Sequence, residues 1–300
     1  MSKVKKEFDT RKEQDRKELQ EAVDSLLDCT VTKDEKIYLT KVKVISSGPI
    51  TELYTFTYPI RIGFDTKKHK SSNPRIRDEK DESERNEEYR KRTARRARND
   101  IRRLALSNFS NKATTKFLTL TLRDNCPFDI RDPRDCNKEF KKFIQKLNYY
   151  VKKNFPDFQS IEYIAVIQFQ DKNNRGAVHY HLLINIPFIE HNVITDIWRH
   201  GFIYVNKIDH VDNVGAYISA YLLKNFQDPR LKGEKCYFTS KGLRRSKVLY
   251  GEEAEQLIRE LMLDKRKPTY ENSYDSEYNG EVSYQEFNDN RDITFYEGKS

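Results

Sequence analysis

The spacing of hydrophobic positions changes several times along the 300 residues, and each change predicts an element. Leu19, Val23, Leu26 and Leu27 recur at helical spacing among acids and bases, which predicts a charged amphipathic helix over 1–30. Ile37–Ile45 and Leu53–Ile60 alternate and are rich in β-branched and aromatic residues. With the turn Ser46-Ser-Gly-Pro49 between them, they predict a β-hairpin in a 31–64 region. Residues 65–84 carry few apolar side chains and read as a flexible linker. From Glu87 the period is helical again. Ala94, Ala97, Ile101, Leu104 and Ala105 form the packed stripe of an arginine-rich helix that completes segment 65–111.

The middle of the chain alternates strands and helices. Lys116–Leu122 predicts a strand with Leu118 and Leu120 on one face and Thr119 and Thr121 on the other. Phe140, Phe143, Ile144, Leu147 and Val151 predict a helix over 138–154. Ile161–Gln170 and Gly176–Asn185 are apolar runs joined by the polar turn Asp171–Gly176, so they should pair as antiparallel neighbours. A short helix (192–199), a short strand (202–205), a helix (211–225) and an extended basic stretch (236–245) complete one domain over 112–245. An amphipathic helix lies in 246–266. Residues 267–300 are acidic, rich in Asn and Tyr and without clear period, and are expected to be a disordered tail.

Composition narrows the class of partner. Charged residues make up 34% of the chain and the net charge is +9, which favours a polyanionic partner, nucleic acid before membrane. No long uncharged apolar run and no signal-peptide core is present, so a cytoplasmic protein without membrane association is expected. Cys29, Cys126, Cys136 and Cys236 form no Cys-x-x-Cys pair, which argues against a zinc ribbon or a disulfide framework. Arg90, Arg92, Arg95, Arg96, Arg98, Arg102 and Arg103 crowd one helix and repel one another unless polyanion is near. With Thr119, Thr121, Arg175, Lys241, Arg244 and Arg245 they make up the candidate DNA-contacting set.

Two constellations carry chemistry. His179 and His181 are two apart on a strand, so both imidazoles face the same way and offer two metal ligands. Tyr217, Tyr221 and Lys224 lie within one narrow face of a helix. A tyrosine hydroxyl, which ordinarily ionises near pH ~10, becomes a useful nucleophile when a metal polarises the electrophile and a cation stands beside it. Gly298-Lys-Ser300 ends like a phosphate-binding loop but lacks the earlier glycine, so unwinding would come from another protein. His69, His191, His200 and His210 lack ligand spacing.

In order along the chain, these motifs resemble the HUH endonucleases, and within them the rolling-circle replication initiators of plasmids and single-stranded DNA phages. Phe117–Thr121 looks like the first-motif strand, His179-Tyr-His181 like the His-hydrophobic-His motif, and Tyr217–Lys224 like the helix that carries one or two catalytic tyrosines and a lysine. The resemblance covers about residues 112–245. It implies an α+β fold, an antiparallel five-stranded sheet with flanking helices related to the ferredoxin-like and RNA-recognition folds, here with a helical basic N-terminal region. It implies a divalent cation, Mg²⁺ or Mn²⁺, and single-stranded and origin DNA as substrate. It also implies a 5′-phosphotyrosine intermediate that leaves a 3′-OH primer, with host helicase and polymerase as partners.

Two positions depart from the family pattern. Gln168 stands where a carboxylate often serves as third ligand, and an uncharged amide binds a hard cation more weakly. Ala220 stands where two-tyrosine members often carry a second lysine. Only Tyr221 keeps the Tyr-x-x-Lys relation to Lys224, which makes Tyr221 the expected main nucleophile and Tyr217 a second candidate. A transposase or a mobilisation relaxase would share this chemistry. A non-catalytic DNA-binding protein on a decayed version of the fold is the reading that Gln168 keeps open.

Overall fold

The computed structural model describes residues 38–63, 82–158, 160–208, 211–225, 228–231, 233–291 and 293–296, leaving out the side chains of 82–86, 90 and 222–225. The helix expected over 1–30 and nearly all of the 65–84 linker lie outside the described residues. The chain divides into two units. One comprises Met1–Val44, Glu52–Arg75 and Val248–Glu286, the other Ile45–Thr51, Ile76–Lys247 and Phe287–Ser300.

The architecture is α+β with two antiparallel five-stranded sheets, not the single sheet expected. The first sheet has the order β8-β1-β2-β10-β9, from β1 (Tyr38–Ser47), β2 (Ile50–Ile62), β8 (Lys247–Tyr250), β9 (Tyr270–Ser276) and β10 (Gly280–Asn288). The 267–300 stretch expected to be disordered therefore supplies a β-hairpin, with Tyr284 opposite Asn272 and Gly280 opposite Ser276. Val282 and Phe287 are the buried anchors of β10, while β9 is exposed along almost its whole length. Tyr54 and Tyr284 stack at 5.0 Å, and the Tyr284 hydroxyl reaches the buried Glu52 carboxylate at 3.0 Å. Tyrosines doing the work of aliphatic residues hide the strand pattern. The expected 246–266 helix is narrower, α5 (Gly251–Glu260), and strand β8 precedes it.

The second sheet, order β6-β3-β5-β4-β7, carries the motifs. Its strands are β3 (Thr115–Leu120), β4 (Glu162–Gln170), β5 (Ala177–Asn185), β6 (Ile203–Lys207) and β7 (Tyr237–Thr239). One face is covered by α2 (Pro133–Asn154) and α3 (His191–Trp198). There Leu118, Leu120, Val178, Tyr180, Leu182 and Ile184 pack with Phe140, Phe143, Leu147 and Trp198. The buried Tyr180 hydroxyl donates to Asn137 at 2.8 Å, and the Trp198 indole N–H donates to the Thr121 carbonyl at 2.8 Å, so neither polar tip is left unpaired.

The other face receives α1 (Glu82–Phe109) and α4 (Val214–Asn225). Phe117, Ile164, Val166 and Leu183 meet Ile101, Ala105, Leu106, Val214 and Ile218 there. Gly215 permits the close crossing of α4 over α1, since a Cβ at that position would stand 2.4 Å from the Arg102 carbonyl oxygen. Alanine gains about 1 kcal/mol over glycine in a helix, but overpacking against backbone costs about 1–3 kcal/mol. Gly215→Ala is therefore expected to destabilise the protein and lower its melting temperature by a few degrees. An unchanged thermal unfolding midpoint would show that the helices are free to separate.

Candidate active site

The site lies on the α1/α4 face of the second sheet and is assembled by strand register. Gln168 on β4 stands opposite His179 on β5, and Thr119 on β3 stands opposite His181. His179, His181, Thr119 and Gln168 therefore share one face, while Val178, Tyr180 and Leu182 fill the core behind them. The two imidazoles meet edge to face with centroids 4.8 Å apart.

His181 is only 8% exposed, and each of its ring nitrogens has a neighbour. Nδ1 lies 3.0 Å from the Thr119 hydroxyl and Nε2 lies 3.1 Å from Gln168 Oε1. Burial, reinforced by the neighbouring His179, pushes its pKa down to about 3, so the ring is neutral at physiological pH. Burial also lowers the pKa of His179. The Ala177 backbone acts in the opposite direction without reaching hydrogen-bond geometry, and the buried Nδ1 atom of His179 has no hydrogen-bond partner. Neutral imidazoles are the ligand form of histidine. Two such rings, an orphaned buried nitrogen and an amide oxygen beside them fit a divalent cation. Among the described residues no group of three His, Cys, Asp or Glu side chains converges, so the third protein ligand from this chain would be the Gln168 amide oxygen.

Helix α4 brings the tyrosines to this face. The Tyr221 ring lies 4.2 Å from the His181 ring and 5.5 Å from Phe117. Tyr217 lies one turn earlier, edge-on to Phe117 at 4.9 Å and 5.9 Å from Tyr221. The Gln168 amide has its oxygen at His181 and donates its N–H to the Tyr221 carbonyl at 3.1 Å, tying the helix to the histidine strand. Burial, then a hydrogen bond to Tyr217, raises the Tyr221 hydroxyl to about 12. An unassisted phenol of that kind is protonated at neutral pH, so the site needs positive charge to use it. Lys224 is on the same helix, but its side chain is outside the described residues.

The family of replication-associated proteins of the ORF2 type matches residues 115–226. The matched segment runs from the first residue of β3 to the end of α4, the elements that carry Thr119, Gln168, the histidines and the tyrosines. It connects this part of the chain with DNA replication. No curated protein and no solved structure matches the chain. Among the described residues no helix is long and apolar enough to cross a membrane.

The other expected site residues separate into groups. Arg92, Arg95, Arg96 and Arg98 are exposed on the N-terminal half of α1, whereas Arg102 and Arg103 are half-buried where the helix packs; the Arg90 side chain is outside the described residues. Thr119 and Thr121, expected as DNA contacts, have other partners. Thr119 faces His181, and the Thr121 hydroxyl bridges the main chain of Phe202, donating to its carbonyl at 3.0 Å and accepting from its N–H at 2.9 Å. Arg175 is held by Asp124 at 2.9 Å, Gln170 at 2.7 Å and the Leu122 carbonyl, and so braces the loop after β3. Lys241, Arg244 and Arg245 are exposed, and Arg244 also donates to the Ser107 carbonyl at 3.2 Å. Sequence reasoning missed Arg230. Its guanidinium chelates Asp171 and Asp228 and lies 3.7 Å from the centre of the Phe169 ring, and the carboxylates hold its pKa above the ordinary value.

Proposed function

We propose that this protein initiates DNA replication by cutting and rejoining one DNA strand through Tyr221. The observation that carries the reading is the contact of the Tyr221 ring with His181, with Gln168 bridging both. The match to a replication-associated family over residues 115–226 supports the biological context.

The chain's own groups divide the work. The Tyr221 oxygen attacks a backbone phosphorus, forming a phosphotyrosine bond as the bond to the 3′ oxygen breaks. The tyrosine gives up one proton and the departing 3′ oxygen takes one up, so the exchange is balanced and reversible. Phe117 and His181 hold the Tyr221 ring between them, which fixes the direction of attack. Thr119 orients His181 by occupying Nδ1, leaving Nε2 and the Gln168 oxygen for a cation. A bound Mg²⁺ or Mn²⁺ held by His179, His181 and Gln168 would supply Lewis-acid stabilisation of charge on the phosphate oxygens. The exposed arginines of α1 suit phosphate contact with origin DNA.

Incubating the full chain with supercoiled DNA carrying the replicon's own origin tests this reading. Open circles should form with Mn²⁺ and not with chelator. Absence of open circles, together with tight binding insensitive to chelator, would favour the non-catalytic reading that Gln168 allows. A break at a transfer origin or an element end would assign the same chemistry to a relaxase or transposase.

Gln168→Glu should split two effects in this assay. A carboxylate should bind the cation about tenfold more tightly, ~1.4 kcal/mol. It also loses the donor to the Tyr221 carbonyl, so the rate at saturating Mn²⁺ should fall. Weaker metal binding in Gln168→Glu would remove Gln168 from the ligand set.

A further inference from the structure

We infer that the open face of β6 is a stacking platform for single-stranded DNA, with Phe202 and Tyr204 as its two base-binding rings. The inference rests on the proposed DNA-cutting role and extends it to how the strand is held. Strand alternation turns Ile203 and Val205 into the core, and leaves Phe202 73% and Tyr204 57% exposed. Large aromatic rings this exposed on an otherwise well-packed sheet are unusual enough to require a reason.

Their position supplies the reason. Tyr204 stands directly opposite Thr119, so it shares a face with the threonine that bonds His181. Phe202 is tied to the same strand by two hydrogen bonds between its main chain and the Thr121 hydroxyl, which fix its backbone. On this face α4 packs over β4 and β5 and leaves β6 at the edge of the sheet. The two rings therefore lead outward from the candidate active site along one strand. Residues two apart on a strand are about 6.6 Å apart, a spacing that unstacked consecutive bases can span.

The chemistry favours single strands. A base in duplex already has its faces covered, whereas an unpaired base can lie on an aromatic ring without sequence preference. Asn206 is exposed on the same side, and the exposed Arg123, whose main-chain N–H bonds the His200 carbonyl, stands at the same end of the β3–β6 pair. A polar, basic surround with two bare rings suits a polyanion with exposed bases better than an apolar protein surface, in keeping with the net charge of +9.

Fluorescence anisotropy of the full chain with labelled oligo-dT, without metal, tests the platform. Phe202→Ala and Tyr204→Ala should each weaken binding by on the order of tenfold, and the slope of log affinity against log salt should stay unchanged because no phosphate contact is lost. Tyr204→Phe should bind like the parent and Tyr204→Leu like the alanine variant. Parent affinity in both alanine variants would overturn the platform and assign the rings to a protein contact. A reduced salt slope would also overturn it, because the loss would then be electrostatic. The covalent-adduct assay on the parent protein separates the two ideas. An adduct with unaltered oligo-dT binding in the alanine variants sinks only the platform. Weakened binding with no adduct sinks only the cutting role.

Discussion

Replacing Tyr221 by phenylalanine abolishes the covalent protein–DNA adduct and lowers nicking by roughly 10³-fold or more, the scale of losing a nucleophile. The variant is informative because it removes one oxygen and little else. Its ring keeps the contacts with His181 at 4.2 Å and Phe117 at 5.5 Å, so the packing of α4 should persist. Tyr217→Phe should retain the adduct with a smaller loss, on the order of tenfold, through loss of the Tyr217 partner hydroxyl. Tyr217 is one turn further along the helix and packs on Phe117, whereas Tyr221 packs directly on a histidine. A boiling-stable adduct in Tyr221→Phe that disappears in Tyr217→Phe would reverse the assignment.

Loss of the histidine pair should be nearly as severe. His179→Ala and His181→Asn should each lower Mn²⁺ affinity and nicking by on the order of 10²-fold or more, since removing a ligand exceeds the 10–100-fold effect of disturbing the groups around one. Asparagine is the better replacement at the buried position 181, where alanine would also leave a cavity. DNA binding without metal should survive in both variants, because the exposed arginines of α1 and the rings of β6 are untouched. Calorimetric titration with Mn²⁺ in the absence of DNA reads the effect directly. Unchanged metal affinity in either variant would remove that histidine from the ligand set.

Much of the second sheet is legible in the sequence because its strands obey strict alternation. The Val178, Tyr180, Leu182 and Ile184 series is buried and the intervening His179 and His181 share the opposite face, as the period of two requires. The α4 tyrosines are legible for a similar reason, through helical spacing alone. Register is not legible. Nothing local in the sequence states that Gln168 stands opposite His179, or that the amide reaches back to the Tyr221 carbonyl across 53 residues. Thr119 reads as a surface contact because alternation gives the face of a side chain and not its partner. Arg230 is invisible for the same reason, since Asp171 is distant in sequence.

The first sheet is the larger failure. The 270–288 hairpin reads as disordered because β9, Tyr-Glu-Asn-Ser-Tyr-Asp-Ser, is polar on both faces and buries almost nothing. What holds the hairpin is long-range. β10 joins β2 from more than two hundred residues earlier, with Tyr284 stacked on Tyr54 and its hydroxyl at Glu52. A strand whose stability comes from a distant partner and from tyrosine packing leaves no period for a local reading to find.

The central claim is that Tyr221 forms the covalent bond to DNA. It is tested most directly by peptide mapping of the adduct. The full chain is reacted with an origin oligonucleotide and Mn²⁺, digested with protease and nuclease, and fragmented in the mass spectrometer. The account predicts a 5′-phosphate-linked nucleotide on Tyr221, present with metal and missing with chelator. A modified residue other than Tyr221, or an unmodified α4 peptide from protein that has cut its DNA, would contradict it.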